Sequence, residues 1–142
     1  MNYITAYNSL IQSGEIVASR RVKQVYARLA TATADTSGQY IFDEQRANRP
    51  IAFIERFCKH SKGEWAGQSI SLELYQKAYI QALYGFVERS TGCRQYRESF
   101  FLVGRKNGKS TLLAGLALYM LTSDGEGGAE VYSTATKYAQ AR

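Results

Sequence analysis

Apolar positions recur at helical spacing along the first half of the chain. Over residues 1–32 they fall at Tyr3, Tyr7, Leu10 and Ile11, then at Ile16, Val22, Val25, Tyr26 and Leu29, and Gly14 divides the stretch into two helices. Ala30 to Gly38, ATATADTSG, is small and polar and reads as a linker. Ala47, Ile51, Ile54 and Cys58 predict a further helix, with Phe53 and Phe57 widening its apolar stripe. Asp43 has the chemistry to cap that helix, with Glu44 favourable in its first turn. Pro50 belongs near a helix start or at a kink, because it cannot donate a backbone hydrogen bond. The segment KGEWAGQSISLE, with Gly63 and Gly67 around Trp65, predicts a turn or short hairpin. Tyr75, Tyr79, Leu83 and Phe86 then mark another helix whose aromatic residues are assigned to the core.

From Tyr96 the period changes. YRESFFLV, residues 96–103, is a strand candidate ending in a continuous apolar run suited to a buried parallel strand. GRKNGKS is a turn. STLLAGLALYMLT predicts a helix, with Leu112, Leu113, Leu116, Tyr119 and Met120 recurring at helical spacing among good helix formers. SDGEGG is a loop, AEVYSTAT a second strand, and KYAQAR the start of a second helix. Strand, loop, helix, loop and strand in that order predict one right-handed crossover of a parallel sheet. With the glycine-rich GRKNGKS, which carries the G-K-S end of a phosphate-binding loop, between its strand and helix, the expected class is α/β: N-terminal helices leading into the start of a P-loop NTPase parallel sheet, incomplete within this chain. The division expected is residues 1–37, a helical segment and linker, and residues 38–142, the first part of that P-loop domain.

The chemistry centres on GRKNGKST. The usual phosphate-binding pattern is G-x-x-x-x-G-K-[S/T], and counting back from Gly108-Lys109-Ser110 places its first glycine at 103, where this chain has Val103 and then Gly104. In such a loop, backbone N–H groups and the positive end of the following helix cradle a polyphosphate. Lys109 would place its ammonium near the β and γ phosphates, and the Ser110 hydroxyl would reach Mg²⁺. Gly104, Asn107 and Gly108 tolerate unusual backbone angles. Arg105 and Lys106 add charge, and an Arg fork can stabilise charge developing on a transferring phosphoryl group. The expected ligands are ATP and Mg²⁺.

Ile41-Phe42-Asp43-Glu44 imitates the magnesium-holding strand of such sites. It precedes the loop and its apolar run is only three residues long, so capping is the better account of Asp43.

Composition narrows the class further. With 142 residues, 45% hydrophobic and 21% charged, the chain suits one globular domain rather than a disordered segment. The net charge of +6 favours an anionic partner without identifying one. The basic cluster of Arg20, Arg21 and Lys23 reads as a solvated face, the alternative being contact with DNA or a neighbouring subunit. Cys58, His60 and Cys93 have no metal-ligand spacing. No apolar run approaches the roughly 20 residues of a membrane span, and no signal peptide is evident.

GRKNGKST after an apolar strand resembles the deviant Walker A loop of tailed-bacteriophage terminase large subunits, the ATPases that drive DNA into procapsids. In that family the first glycine is often replaced and a basic residue early in the loop assists catalysis, a place Arg105 occupies. FDEQRANRPIAFIERFCKHSKGEWAGQSISLELYQKAYI and EVYSTATKYAQAR are similar to the family's segments on either side, so the resemblance covers residues 38–142. It implies catalytic roles for Arg105 and Lys109, and nucleotide contacts from Gly104, Arg105, Lys106, Asn107, Gly108, Lys109, Ser110 and Thr111. It makes Gln76 the adenine-reading glutamine, since a side-chain amide both donates and accepts. From the residue alone, Gln76 reads as an exposed helix position. Gln140 and Arg142 would lie in a helicase-like element near the phosphate sensor or DNA.

The resemblance also implies partners: double-stranded DNA, a terminase small subunit, the portal and procapsid, and copies of the chain in a ring, in the cytoplasm of a bacterial host and encoded by a virus or prophage. No acid-ended strand or nuclease cluster follows the loop before Arg142. The expectation is the N-terminal part of a longer ATPase and nuclease, itself hydrolysing ATP poorly. The rival readings are another P-loop enzyme, helicase-like or a small-molecule kinase, and a basic helical interaction module without catalysis.

Overall fold

The computed structural model describes residues 1–61, 63–125 and 127–134. Its elements run α1 (Tyr3–Ser13), α2 (Arg20–Ala34), β1 (Tyr40–Phe42), α3 (Glu44–Phe57), α4 (Leu74–Gly85), β2 (Phe86–Glu88) and α5 (Lys109–Thr122). Local chemistry sets the helix starts. Asn2 accepts from Thr5 N, Ser19 from Val22 N and Asp43 from Arg46 N, each satisfying a donor that the first helical turn leaves open. Glu73 and Gln76 form a reciprocal capping box at the start of α4. Gly14, at φ +84°, ends α1 in the left-handed conformation that glycine adopts without a Cβ clash.

The core lies between three helices. Ile51 and Ile54 of α3, Ile80 and Tyr84 of α4, and Leu112, Leu116 and Tyr119 of α5 form one buried cluster. Burying each aliphatic side chain contributes about 2 kcal/mol. Helix α5 seats against α3 at Gly115, where an added Cβ would lie 3.0 Å from Ile54 Cγ1. On the other side α1 lies on α4, pinned by Gln81. The fully buried Gln81 accepts at Oε1 from Tyr3 N (2.7 Å) and Ile4 N (3.2 Å). Its Nε2 donates to Met1 O and to Asn48 Oδ1, both at 2.8 Å. Helix α2 buries none of its residues fully and meets α1 through the edge-on Tyr7–Tyr26 pair, ring centroids 4.7 Å apart.

The two helices foreseen in residues 1–32 form on either side of Gly14, but the expected linker is shorter than ATATADTSG suggests, since α2 runs to Ala34. The cap at Asp43 forms, and Pro50 sits inside α3, buried. The KGEWAGQSISLE region makes a small hairpin: Lys59 bridges Ser69, and His60 N donates to Gln68 O at 2.9 Å.

The sheet differs from expectation. The parallel crossover is not formed by the described residues, whose sheet is two-stranded and antiparallel, with Ile41 opposite Val87. Its strands come from segments assigned to a cap and to the end of a helix. Gly85 makes this possible: a Cβ there would fall 2.4 Å from Phe42 Cε2, so only glycine lets β1 cross so close to the end of α4. Residues 96–103 are not a ladder strand. Phe101 and Val103 turn partly inward, whereas Phe100 and Leu102 are 89% and 82% exposed. One face of this segment rests on α4, through Tyr79 Oη to Ser99 Oγ at 2.6 Å and the Tyr79–Phe101 ring pair. A buried parallel strand needs hydrogen-bonded neighbours and cover on both faces, and neither is in place. Residues 129–134 are likewise outside any strand, with Val131 and Tyr132 exposed. The last two residues of the predicted AEVYSTAT strand and the KYAQAR helix, with Gln140 and Arg142, lie outside the described residues.

Candidate functional site

The turn from Gly104 to Gly108 runs directly into the first residue of α5. Two of its residues occupy the left-handed region: Gly108 at φ +66°, and Lys106 at φ +65°, which is uncommon for a residue with a side chain. A Cβ on Gly108 would meet Gln76 Nε2 at 3.1 Å, so glycine there meets both the backbone conformation and the close approach of α4. Asn107 Nδ2 donates across the turn to Arg105 O at 3.2 Å.

Gly108 is the N-cap of helix α5 and no side chain accepts from its first turn, whereas Asn2, Ser19 and Asp43 close the starts of α1, α2 and α3. The first-turn N–H groups, with the positive end of the helix dipole, are therefore left for an external acceptor. Arg105, Lys106, Lys109 and Ser110 are exposed around this point and Thr111 is half-buried. Ordered N–H donors, three cations and a hydroxyl around one helix start can hold a polyphosphate and offer an oxygen ligand to magnesium.

Gln76 is not the exposed residue that its sequence context alone suggested; it is 6% exposed and lies under the turn. Its Oε1 accepts from Glu73 N at 3.0 Å. Its Nε2 faces Asn107 O and Tyr75 Oη, both at 3.3 Å. An amide has two N–H donors and two acceptor lone pairs. Both donors are therefore directed at internal acceptors, while Oε1 keeps one lone pair. The Nε2 contacts are long for hydrogen bonds, which makes them weak ones to exchange.

Tyr75, assigned to the core from spacing, has a second role. Its hydroxyl donates to Asn107 O at 2.8 Å, so two neighbouring residues of α4 reach the same loop carbonyl. The sequence signal was the adjacency of Tyr75 and Gln76 at a helix start; spacing could not show that a loop some thirty positions later would fold onto it.

Among the described residues, no group of three or more His, Cys, Asp or Glu side chains could hold a metal ion. No described helix is long and apolar enough to cross a membrane.

Residues 74–142 match the family described as terminase large subunit, ATPase domain. The chain is 40% identical over 73 residues to the terminase large subunit of Enterobacteria phage HK97, a stretch that is 51% of this chain and 13% of that protein. No solved structure matches.

Proposed function

Because residues 74–142 belong to the terminase large-subunit ATPase family, we propose that Gly104–Thr111 is the ATP-binding loop of a motor that packages viral DNA. The observation that carries the proposal is the uncapped start of α5 at left-handed Gly108, ringed by Arg105, Lys106 and Lys109 and backed by Tyr75 and Gln76.

The residues divide the work by chemistry. The turn's N–H groups and the start of α5 bind the phosphates as a fixed dipole. Lys109, the first residue of α5, neutralises charge on the β and γ phosphates. Arg105 supplies a second cation that favours the more charged transferring group over the ground state. Lys106 adds to the field, Gly104, Asn107 and Gly108 shape the turn, and Ser110, with Thr111 next to it, offers a hydroxyl to Mg²⁺, which supplies charge neutralisation when bound. Gln76 reads the adenine edge. One contact is open to it at the remaining Oε1 lone pair, and a bidentate contact requires Nε2 to release either Asn107 O or Tyr75 Oη, which itself holds Asn107 O. Adenine binding and loop shape are thereby linked through a single amide.

The whole motor's properties belong to the same reading: translocation of double-stranded DNA, assembly as a ring with a small subunit at the portal, nuclease action in the longer protein, and a bacterial host cytoplasm. The test is binding of a fluorescent ATP analogue with Mg²⁺. The wild-type chain is expected to bind, Lys109→Ala to weaken binding at least tenfold, and Arg105→Ala to lower hydrolysis in the longer protein more than binding. Equal affinity in all three chains would refute the site. Hydrolysis that DNA leaves unchanged in the longer protein would favour another P-loop enzyme.

A further inference from the structure

At the opposite end of α5 from the loop lies a cleft of about 500 Å³ whose walls carry Arg46, Arg49, Arg94 and Arg97 together with Tyr84 and Tyr119. Lys109 and Tyr119 are ten positions apart on one helix, which places the cleft about 15 Å from the nucleotide loop.

Its guanidinium groups are unequally occupied. Arg94 pairs with Asp124 at 3.1 Å and lies over the Tyr84 ring at 4.8 Å. Arg46 donates to Gly92 O and has Asp43 at the 4.0 Å limit of an ion pair. Arg49 and Arg97 are exposed, and among the described residues neither has a carboxylate within ion-pair distance. Within ion-pair distance the four cations meet only Asp43 and Asp124, and Arg49 and Arg97 are left without a paired carboxylate, Glu88 lying near enough to Arg97 to feel its charge but not to pair with it. The phenols add donors. Burial pushes the Tyr84 hydroxyl up to about 12 against the lowering effect of Arg94, and burial likewise raises Tyr119, so both remain protonated.

We infer that this cleft is a second anion site, separate from the nucleotide loop, that takes the phosphate groups of a nucleic-acid backbone. Planar guanidinium forks match phosphate oxygens in pairs, and two of them stand without an internal partner. The cleft is open and its cations lie on α3 and on the segment after β2, an arrangement suited to an extended row of phosphates rather than one enclosed ion. A free phosphate presents the same chemistry and is the alternative source.

The experiment uses the 142-residue chain carrying Lys109→Ala, so that the loop contributes little, and a short fluorescein-labelled DNA duplex titrated over a range of salt. Arg49→Gln with Arg97→Gln should weaken binding about tenfold at low salt and flatten the log-affinity against log-salt slope by roughly 2, one for each lost phosphate contact. Arg49→Lys with Arg97→Lys should keep most of the slope. Arg20→Gln with Arg21→Gln, equal in charge loss but on α2, should change it little. Calorimetry with inorganic pyrophosphate separates the sources: binding that only the cleft double variant loses, with duplex affinity unchanged, assigns the site to a free phosphate ligand. If neither probe binds, or if the α2 variant loses as much as the cleft variant, the inference is wrong.

Discussion

The Tyr75 hydroxyl donates to the main-chain carbonyl of Asn107 at 2.8 Å, tying the first turn of α4 to the tip of the nucleotide loop. Its neighbour Gln76 reaches the same oxygen from beneath. A loop held by its own carbonyl keeps its shape without ligand and spends less ordering entropy on binding. Tyr75→Phe removes only the donor. The expected result is a stability loss of about 1 kcal/mol or less, together with weaker ATP-analogue binding and faster amide exchange over residues 104–108. Unchanged exchange there would mean that the contact does not order the loop.

Gln81 performs a similar task for the N-terminus. Its Oε1 receives Tyr3 N and Ile4 N, two first-turn donors that the Asn2 cap does not reach. Gln81→Ala would strand buried polar groups in α1 and beside Asn48, at a cost of about 2–3 kcal/mol. Urea unfolding of the variant tests this, and a loss below half a kcal/mol would show that water replaces the amide.

Gly115 fixes how closely α5 approaches α3. A Cβ there meets Ile54 at 3.0 Å, so Gly115→Ala trades a helix-propensity gain of about 1 kcal/mol against that contact and should be nearly neutral. Gly115→Leu overpacks the crossing and should cost about 1–3 kcal/mol. Pairing it with Ile54→Ala should recover part of that loss, and a double-mutant cycle measures the coupling. Additive losses would place the strain elsewhere.

Glu88 gives the fold an acid dependence. Thr91 Oγ1 and Gln39 Nε2 donate to its carboxylate at 2.6 and 2.8 Å and hold it below the ordinary glutamate range. A carboxylate depressed on folding contributes stability above its unfolded pKa and loses it as pH falls through the folded one. The urea midpoint should therefore fall on acidification below about pH 4.3, and Glu88→Gln should flatten that fall. Asp35, lowered chiefly by the backbone N–H of Ser37, titrates in the same direction and supplies the residual slope.

How much could be read without coordinates follows from which forces are local. The helix start at Asp43, the break at Gly14, the hairpin around Trp65 and the GKS turn before α5 depend on residues within a few positions, and the sequence alone determined them. Strands do not work this way, because pairing joins distant residues. Tyr40–Phe42 found Phe86–Glu88, and Gly85 allowed the close crossing, while the more apolar 96–103 gained cover on one face only. The loop's residues were legible as a motif, but its support was not. That Tyr75 and Gln76 lie under Asn107, and that four arginines from two segments share one cleft, was decided by how α3, α4 and α5 pack, since side chains remote in sequence meet only when the core brings their helices together.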